Sequence, residues 1–276
     1  MRRGAYHAAT PALEEALALA ERLPAPGCRG EALIYLGVIA NSEGRYGDAK
    51  AYYHQALSFA QGLGYRPWIE RILTNLGTLY FRQRDYRHAL SSYEEALQMA
   101  QEECDQTFVL IITSNIGGVQ RVSSQYERAI QSYQRSLTMA RNMGKDRWIA
   151  ANLNGLALVY LETQDMISAE ALLREALVVA QQSDSMLDLL GSVGLLGHVF
   201  AHRGQKEAAL KALLFVEQHP ATMARDKVYN QPLLTELRSK LPPEVLTQAV
   251  AWAAGQPPEE VVHWLLYSGG HPLRQL

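Results

Sequence analysis

Cysteine and net charge are both scarce in this sequence, and each shortage excludes a class of protein. Two cysteines in 276 residues cannot form a disulfide framework, so a reducing cytoplasm is the expected location. A net charge of −2 argues against binding to nucleic acid or anionic membranes, which normally needs a basic excess. No apolar run approaches the roughly 20 residues that cross a bilayer, and the N-terminal residues lack the apolar stretch of a secretory signal. We therefore expect no nucleic-acid partner and no membrane partner.

Proline is also unevenly placed. Between residues 27 and 219 there is one, Pro67, whereas seven of the eleven prolines lie at residue 220 or beyond. A stretch so poor in proline and rich in Ala, Leu, Gln and Glu is typical of successive helices. It also lacks the sustained apolar–polar alternation of a half-buried strand. The sequence therefore predicts an all-α array with a change of architecture near residue 220.

A repeat with a period of 40 residues runs through the array. Shifting the chain by this period superimposes small residues, most clearly in the column Gly37, Gly77, Gly117, Ala157 and Gly197. Each unit divides into two helices, A and B; in the second unit, helix A is expected over about 68–82 and helix B over about 86–100. Small residues mark the points where the two helix backbones approach closely. One such hairpin cannot cover its own apolar stripe, so neighbouring hairpins must stack.

The second unit carries Leu73, Leu76, Gly77, Tyr80, Ala89, Tyr93 and Ala96. This set resembles the pattern of the tetratricopeptide repeat (TPR) family, whose usual period is about 34 residues. The longer period is similar to that of the arrays in kinesin light chains, spindle-orientation adaptors and the sensor arms of bacterial STAND-type regulators. The resemblance covers roughly residues 4–220. It implies a right-handed α-solenoid whose concave face holds a protein or an extended peptide.

The repeat predicts three parts along the chain. These are a half-repeat with helix B only at 1–25, five TPR-like repeats at 26–220, and a helical C-terminal cap and tail at 221–276. The cap is expected to hold helices at about 230–240, 243–254 and 258–267. Because the half-repeat has no helix A, we infer that a further N-terminal segment or another chain covers its helix. The alternative is that this alanine-rich helix tolerates exposure.

No motif for catalysis or cofactor binding occurs in the sequence, whether a P-loop, a dinucleotide-binding loop, a nucleophile elbow or a zinc-protease helix. His198 and His202 have the four-residue spacing of metal ligands on a helix. No nearby carboxylate or cysteine completes such a site, so two polar groove residues are the favoured interpretation. The sequence therefore predicts a non-catalytic protein without cofactor or metal, and an enzyme is only a remote alternative.

The resemblance also implies a binding surface, formed by the helix-A positions opposite the packing face. Transferred position by position, its residues are Glu31, Tyr35, Arg71, Thr74, Asn75, Thr78, Arg82, Ser114, Asn115, Gly118, Asn154, Leu158, Glu162, His198 and His202.

Asn75 and Asn115 share one column of the repeat. Related 40-residue arrays use an asparagine here to hydrogen-bond the backbone of a bound segment, a task that suits an amide because it both donates and accepts. The alternative, equally open, is a hydrogen bond within the array. Arg71 and Arg82 favour an acidic ligand, whereas these columns lack the lysines of the chaperone-type carboxylate clamp.

The sequence thus favours a protein- or peptide-binding scaffold. A second hypothesis is the sensory or regulatory arm of a larger STAND-type signal-transduction ATPase or transcriptional regulator. The two hypotheses differ in whether nucleotide-binding or effector segments precede the array.

Overall fold

The structure is a computed structural model that describes residues 2–22 and 26–267. The described residues form fourteen α-helices and no β-strand, which confirms the all-α fold class. The helices are α1 (Arg2–Arg22), α2 (Pro26–Glu43), α3 (Tyr46–Leu63), α4 (Arg66–Arg82), α5 (Tyr86–Glu102), α6 (Gln106–Val122), α7 (Tyr126–Asn142), α8 (Asp146–Glu162), α9 (Met166–Gln182), α10 (Met186–His202), α11 (Lys206–Gln218), α12 (Ala224–Lys240), α13 (Pro243–Gly255) and α14 (Pro258–Tyr267). The end of the predicted tail, residues 268–276, lies outside the described residues.

The chain divides into two compact units, unit 1 at Met1–Gln125 and unit 2 at Tyr126–Leu276. In unit 1, α2 pairs with α3 and α4 pairs with α5, while α1 packs on α2 and α6 packs on α5. The A helices α2, α4 and α6 also contact one another in that order. In unit 2, α8 pairs with α9 and α10 pairs with α11, while α7 packs on α8. Each unit is therefore a stack of TPR-like hairpins. The three-part division drawn from the repeat stays a prediction.

A residue with left-handed backbone conformation follows each of the helices α2–α10, at intervals of 20 residues. Their φ angles lie between 51° and 82°, at Gly44, Gly64, Arg84, Cys104, Ser124, Gly144, Gln164, Asp184 and Gly204. The next residue donates its N–H to a carbonyl in the last turn of the helix, as Asp85 does to Tyr80 O at 2.9 Å. This pattern satisfies a carbonyl group that has no partner within the helix. The 40-residue repeat is thus built from two halves that end in the same kind of turn.

The paired helices approach each other most closely at the predicted glycine column. A Cβ atom placed on Gly77 would lie 2.6 Å from Tyr93 Cε1, and one on Gly37 would lie 2.5 Å from Tyr53 Cε1. Both tyrosine rings are buried against the backbone of helix A, where no other side chain could fit. In unit 2, Ala157 replaces the glycine of the fourth repeat, whereas Gly155 on the same helix lies against Tyr133 of α7, the last helix of the preceding repeat.

Helices α12–α14 follow the array. The bounds of α13 and α14 agree with the sequence prediction, but α12 begins at Ala224, ahead of the predicted start near residue 230. The helix continues through Pro232, which is exposed. A proline inside a helix removes one backbone hydrogen bond, and on the exposed side water can replace it. For this reason, the proline does not mark the start of the helix.

The last helix is fixed to the array by a charged cluster. α13 packs on α11 and α14 packs on α9. Arg174 of α9 donates from Nη1 to the main-chain oxygens of Leu265 and Leu266, at 2.7 and 2.9 Å. Glu170 forms an ion pair with Arg174 at 2.8 Å and also contacts Arg203. The two carbonyl groups lie in the last turn of α14, where helical partners are missing, so Arg174 caps this helix.

Candidate functional site

The residues predicted to bind a ligand divide between the two units. Ten lie on α2, α4 and α6 of unit 1: Glu31, Tyr35, Arg71, Thr74, Asn75, Thr78, Arg82, Ser114, Asn115 and Gly118. We call the side of these helices that carries them the A surface. Tyr35 and Arg82 are exposed, and the other eight are half-buried. Five more lie in unit 2: Asn154, Leu158, Glu162, His198 and His202.

One column of the repeat crosses the A surface. It places Tyr35 on α2, Asn75 on α4 and Asn115 on α6. The next two members of the column, Gly155 and Leu195, are buried residues of unit 2. In this column, the residue types that suit a ligand therefore occur in unit 1.

The side-chain amides of Asn75 and Asn115 make no hydrogen bond to any described residue. Both side chains are half-buried. A half-buried amide that lacks a partner keeps its donors and its acceptor for another molecule. The sequence left open whether these two amides bind a ligand or form hydrogen bonds within the array. Among the described residues, they form no hydrogen bond within the array.

Arg71 is held in a cluster at the contact between α2 and α4. Trp68 donates Nε1–H to Glu31 Oε1 at 2.9 Å, and Arg71 Nη2 lies 2.8 Å from the same oxygen. The arginine contact is an ion pair by distance, but its N–H direction is not that of a hydrogen bond, and Arg71 Nε has no partner among the described residues. The guanidinium carbon lies 5.8 Å from the centre of the Tyr35 ring. The cluster thus fixes a cation beside an exposed aromatic ring and leaves part of its hydrogen-bonding capacity unused.

Three other predicted residues of the A surface bond within the fold. Thr74 Oγ1 donates to the main-chain oxygen four residues earlier at 3.0 Å, and the Thr78 and Tyr93 hydroxyls lie 2.9 Å apart. Arg82 Nη1 donates to Asn41 O at 2.8 Å, which ties α4 to the last turn of α2. These polar groups serve helix packing, so less of the A surface is available to a ligand than the sequence predicted.

Asn154 has a packing role in unit 2. Its Nδ2 donates to Asp188 O at 3.2 Å, and its Oδ1 accepts a hydrogen bond from Ser192 Oγ at 2.8 Å. The amide therefore joins α8 to α10 with both its donor and its acceptor. Leu158, on the same helix, packs against the apolar core.

Glu162, His198 and His202 come together at a cleft of about 340 Å³ in unit 2. Helix α12 forms one wall of the cleft with Tyr229 and Leu233, among other residues. The Tyr229 ring lies 4.8 Å from the His198 ring. Burial lowers the pKa of His198, whose neutral ring bonds to α12 through Asn230 Oδ1 at 3.0 Å from Nε2. Among the described residues, no three His, Cys, Asp or Glu side chains form a metal-ligand cluster.

Sequence reasoning missed Glu70, a charged residue inside unit 1. Its side chain belongs to α4 and the residue is only 2% exposed. The same column of the repeat holds Gly30, Leu110, Ala150 and Leu190. An acid in a column of small and apolar residues was the available signal, because a buried charge needs a partner.

A family model described as tetratricopeptide repeat matches residues 28–102 and 108–182. No curated protein sequence matches the chain. In the part of the chain that the structure describes, no helix has the length and apolar character needed to cross a bilayer.

Solved structures with a similar fold include signalling proteins. One is NprR in complex with its cognate peptide NprX, with 18% identity, coverage of 95% of this chain and 75% of that chain, and a TM-score of 0.65. A second is a STAND protein with a tetratricopeptide repeat sensor from Pyrococcus horikoshii, with 15% identity, coverage of 97% and 41%, and a TM-score of 0.67. A third is aspartyl phosphate phosphatase F from Bacillus subtilis, with 15% identity, coverage of 90% and 63%, and a TM-score of 0.62. At these identities the likeness concerns the fold alone.

Proposed function

The chain belongs to the tetratricopeptide repeat family, and from this premise we propose that it is a non-catalytic scaffold that binds a protein or an extended peptide. The proposed binding site is the A surface of unit 1. A similar fold holds a peptide in NprR, which supports the class of ligand. A similar fold also occurs in a protein named as a phosphatase, so the absence of catalysis is part of the proposal and does not follow from the fold.

The observation that carries the proposal is the pair of unpartnered amides at Asn75 and Asn115. Two other asparagines of low exposure are used by the fold: Asn154 joins α8 to α10, and Asn230 contacts His198. The two amides of unit 1 lie on neighbouring A helices in one column, so a segment crossing α4 and α6 would meet both. An amide pairs with a main-chain peptide group whatever the side chain, so the asparagines would hold the ligand backbone.

The charge of the A surface favours an acidic ligand. The Arg71 side chain remains 31% exposed although it pairs with Glu31, so its outer edge can receive a second carboxylate. A charge-assisted hydrogen bond of this kind is stronger than one between neutral groups. Tyr35 offers an exposed ring beside the guanidinium group, against which an apolar part of the ligand can pack.

The test is peptide selection followed by a matched mutant comparison. A random library of displayed peptides is selected on the wild-type chain, and the selected peptides are expected to be rich in Asp and Glu. The affinity of one selected peptide is then measured by titration calorimetry for Asn75→Ala with Asn115→Ala. Loss of hydrogen bonds worth about 1 kcal/mol each predicts an affinity at least about tenfold lower, with unchanged helicity and thermal midpoint.

The control is Gln61→Ala with Gln101→Ala, because these exposed amides are also one period apart but lie on B helices. This pair is expected to bind as the wild type does. Equal binding by the asparagine double variant would remove the A surface from the proposal.

A second candidate function is the sensory arm of a larger STAND-type regulator. The observation that favours it is the match of 97% of this chain to 41% of a STAND protein. The complete reading frame at the source locus tests it: an upstream ATPase segment would support the arm, and a start at Met1 would favour the free scaffold.

A further inference from the structure

Glu70 is a buried acid without a counter-charge of its own. The residue is 2% exposed, and Oε1 has no hydrogen-bond partner among the described residues. The equivalent positions in the other repeats are glycine, alanine or leucine, so helix packing does not call for a carboxyl group here. A buried polar group that lacks a partner destabilises a fold, and its presence in one repeat alone therefore points to a use.

The charged groups that act on Glu70 are already engaged elsewhere. Asp105 precedes α6 and accepts hydrogen bonds from the N–H groups of Thr107 and Phe108, each at 3.0 Å. Arg66 on α4 pairs with Glu102 and Glu103 at 2.6 and 2.7 Å. Asp105 and Glu103 are anionic and oppose a negative charge on Glu70, and Arg66 is the cation acting on it in the described part of the chain.

These surroundings favour the protonated acid. Burial, followed by repulsion from Asp105 and Glu103, raises the pKa of Glu70 to about 7. Because the folded state holds the proton more tightly than the unfolded chain does, the stabilisation is complete below the ordinary pKa of a glutamic acid. It is lost as the pH rises through about 7, since the unfolded chain has already released its proton.

We propose that Glu70 makes unit 1 sensitive to protons: the neutral acid allows α4 to pack near the start of α6, and ionisation loosens this contact. Helices α4 and α6 carry Asn75 and Asn115, and Glu70 precedes Arg71 directly. Loosening therefore disturbs the A surface, so ligand binding weakens as the pH rises past neutral. This functional consequence rests on the proposed binding role of the A surface, whereas the change in packing does not.

The test is amide hydrogen exchange of the ligand-free 276-residue chain, followed by mass spectrometry at several pH values between about 5.5 and 8.5, on both sides of the raised pKa of about 7. Rates are corrected for the pH dependence of exchange in unprotected amides. In the wild type, protection of α4 and α6 is expected to fall with rising pH, by up to about thirtyfold over this range. In Glu70→Leu and Glu70→Gln, protection should stay constant, because no proton is released at this position.

Glu94→Gln is the matched control, since Glu94 is an exposed acid on α5, and it should keep the wild-type pH dependence. Glu70→Gln answers the question if the larger change to leucine prevents folding. Burial also raises the pKa of Asp226 in unit 2. Because exchange is measured for each peptide, the response of unit 1 is distinguished from that of the region around Asp226. Equal pH dependence in wild type and both Glu70 variants, or constant protection in the wild type, would overturn the proposal. Because no ligand is present, failure of peptide binding at Asn75 and Asn115 would leave this result intact.

Discussion

Gly77 shows how a single residue sets the distance between two helices. Its backbone lies against the ring of Tyr93, whose hydroxyl group is 2.9 Å from Thr78 Oγ1. Burial raises the pKa of Tyr93 to about 12, so the phenol keeps its proton and can donate it. Size and hydrogen bonding thus fix the ring at one place on α4. Asn75 lies half a turn before Gly77 on the same helix, so this contact also positions a residue of the A surface.

A larger side chain at Gly77 must therefore separate α4 from α5. A Cβ atom alone would lie 2.6 Å from the Tyr93 ring, and overpacking of this kind typically costs about 1–3 kcal/mol or more. We expect Gly77→Leu to lower the free energy of unfolding by at least that amount in urea titrations followed by circular dichroism. Gly62→Ala is the control, because nothing lies within 4 Å of that position on α3. It should stabilise the helix by about 0.5–1 kcal/mol. An unchanged transition for Gly77→Leu would contradict the helix pairing.

At the scale of the helix, the turns between elements are the most regular feature of the chain. The same left-handed turn recurs every 20 residues, yet five of its nine residues are not glycine. A side chain in this conformation costs roughly 1–2 kcal/mol. The array therefore forms its turns even where the local residue disfavours them, because the packing of successive helices fixes the place at which each one ends.

Because a side chain in the left-handed conformation is strained, we expect substitutions at two equivalent turns of unit 1 to have opposite effects on stability. Cys104 has φ of 57° and Gly64 has φ of 64°, and no atom lies within 4 Å of a Cβ placed on Gly64. We expect Cys104→Gly to raise the free energy of unfolding by up to about 1 kcal/mol, since relief of strain exceeds the added chain entropy. Gly64→Ala should lower it by about 1 kcal/mol. Differential scanning calorimetry measures both, and a shift of the same sign in the two variants would refute the explanation.

The repeat period predicted which segments form helices, and α4 and α5 end within about two residues of the expected bounds. It could not predict the role of Asn154, because the carbonyl group that this amide binds belongs to α10 of the next repeat. Beyond the repeats, the sequence prediction placed the start of α12 near residue 230, whereas the helix begins at Ala224. A periodic pattern predicts which segments are helical, but it does not predict which distant residues form hydrogen bonds with each other. Glu70 was missed although the sequence held a signal, an acid in a column of small and apolar residues.

At the scale of the whole molecule, the two units carry different kinds of polar residue. Unit 1 keeps unpartnered amides and a partly exposed arginine on the A surface. In unit 2, Asn154 and His198 are occupied by neighbouring helices, and the charged cluster around Arg174 holds α14. Because of this difference, we assign the proposed ligand site to unit 1. The polar groups of unit 2 instead stabilise the end of the array.

Arg174 is the residue on which the attachment of α14 to unit 2 depends. Arg174→Met retains the length of the side chain but removes the donors to Leu265 O and Leu266 O, and it leaves the nearly buried Glu170 with Arg203 alone. Loss of a hydrogen bond that involves a charged group typically costs about 1.5–3 kcal/mol. We therefore expect amide exchange in α14 to rise at least tenfold while exchange in unit 1 stays unchanged. Arg135→Met, at an exposed position of α7, should leave α14 protected. Wild-type protection of α14 in the Arg174 variant would show that its apolar contacts with α9 are sufficient to hold the helix.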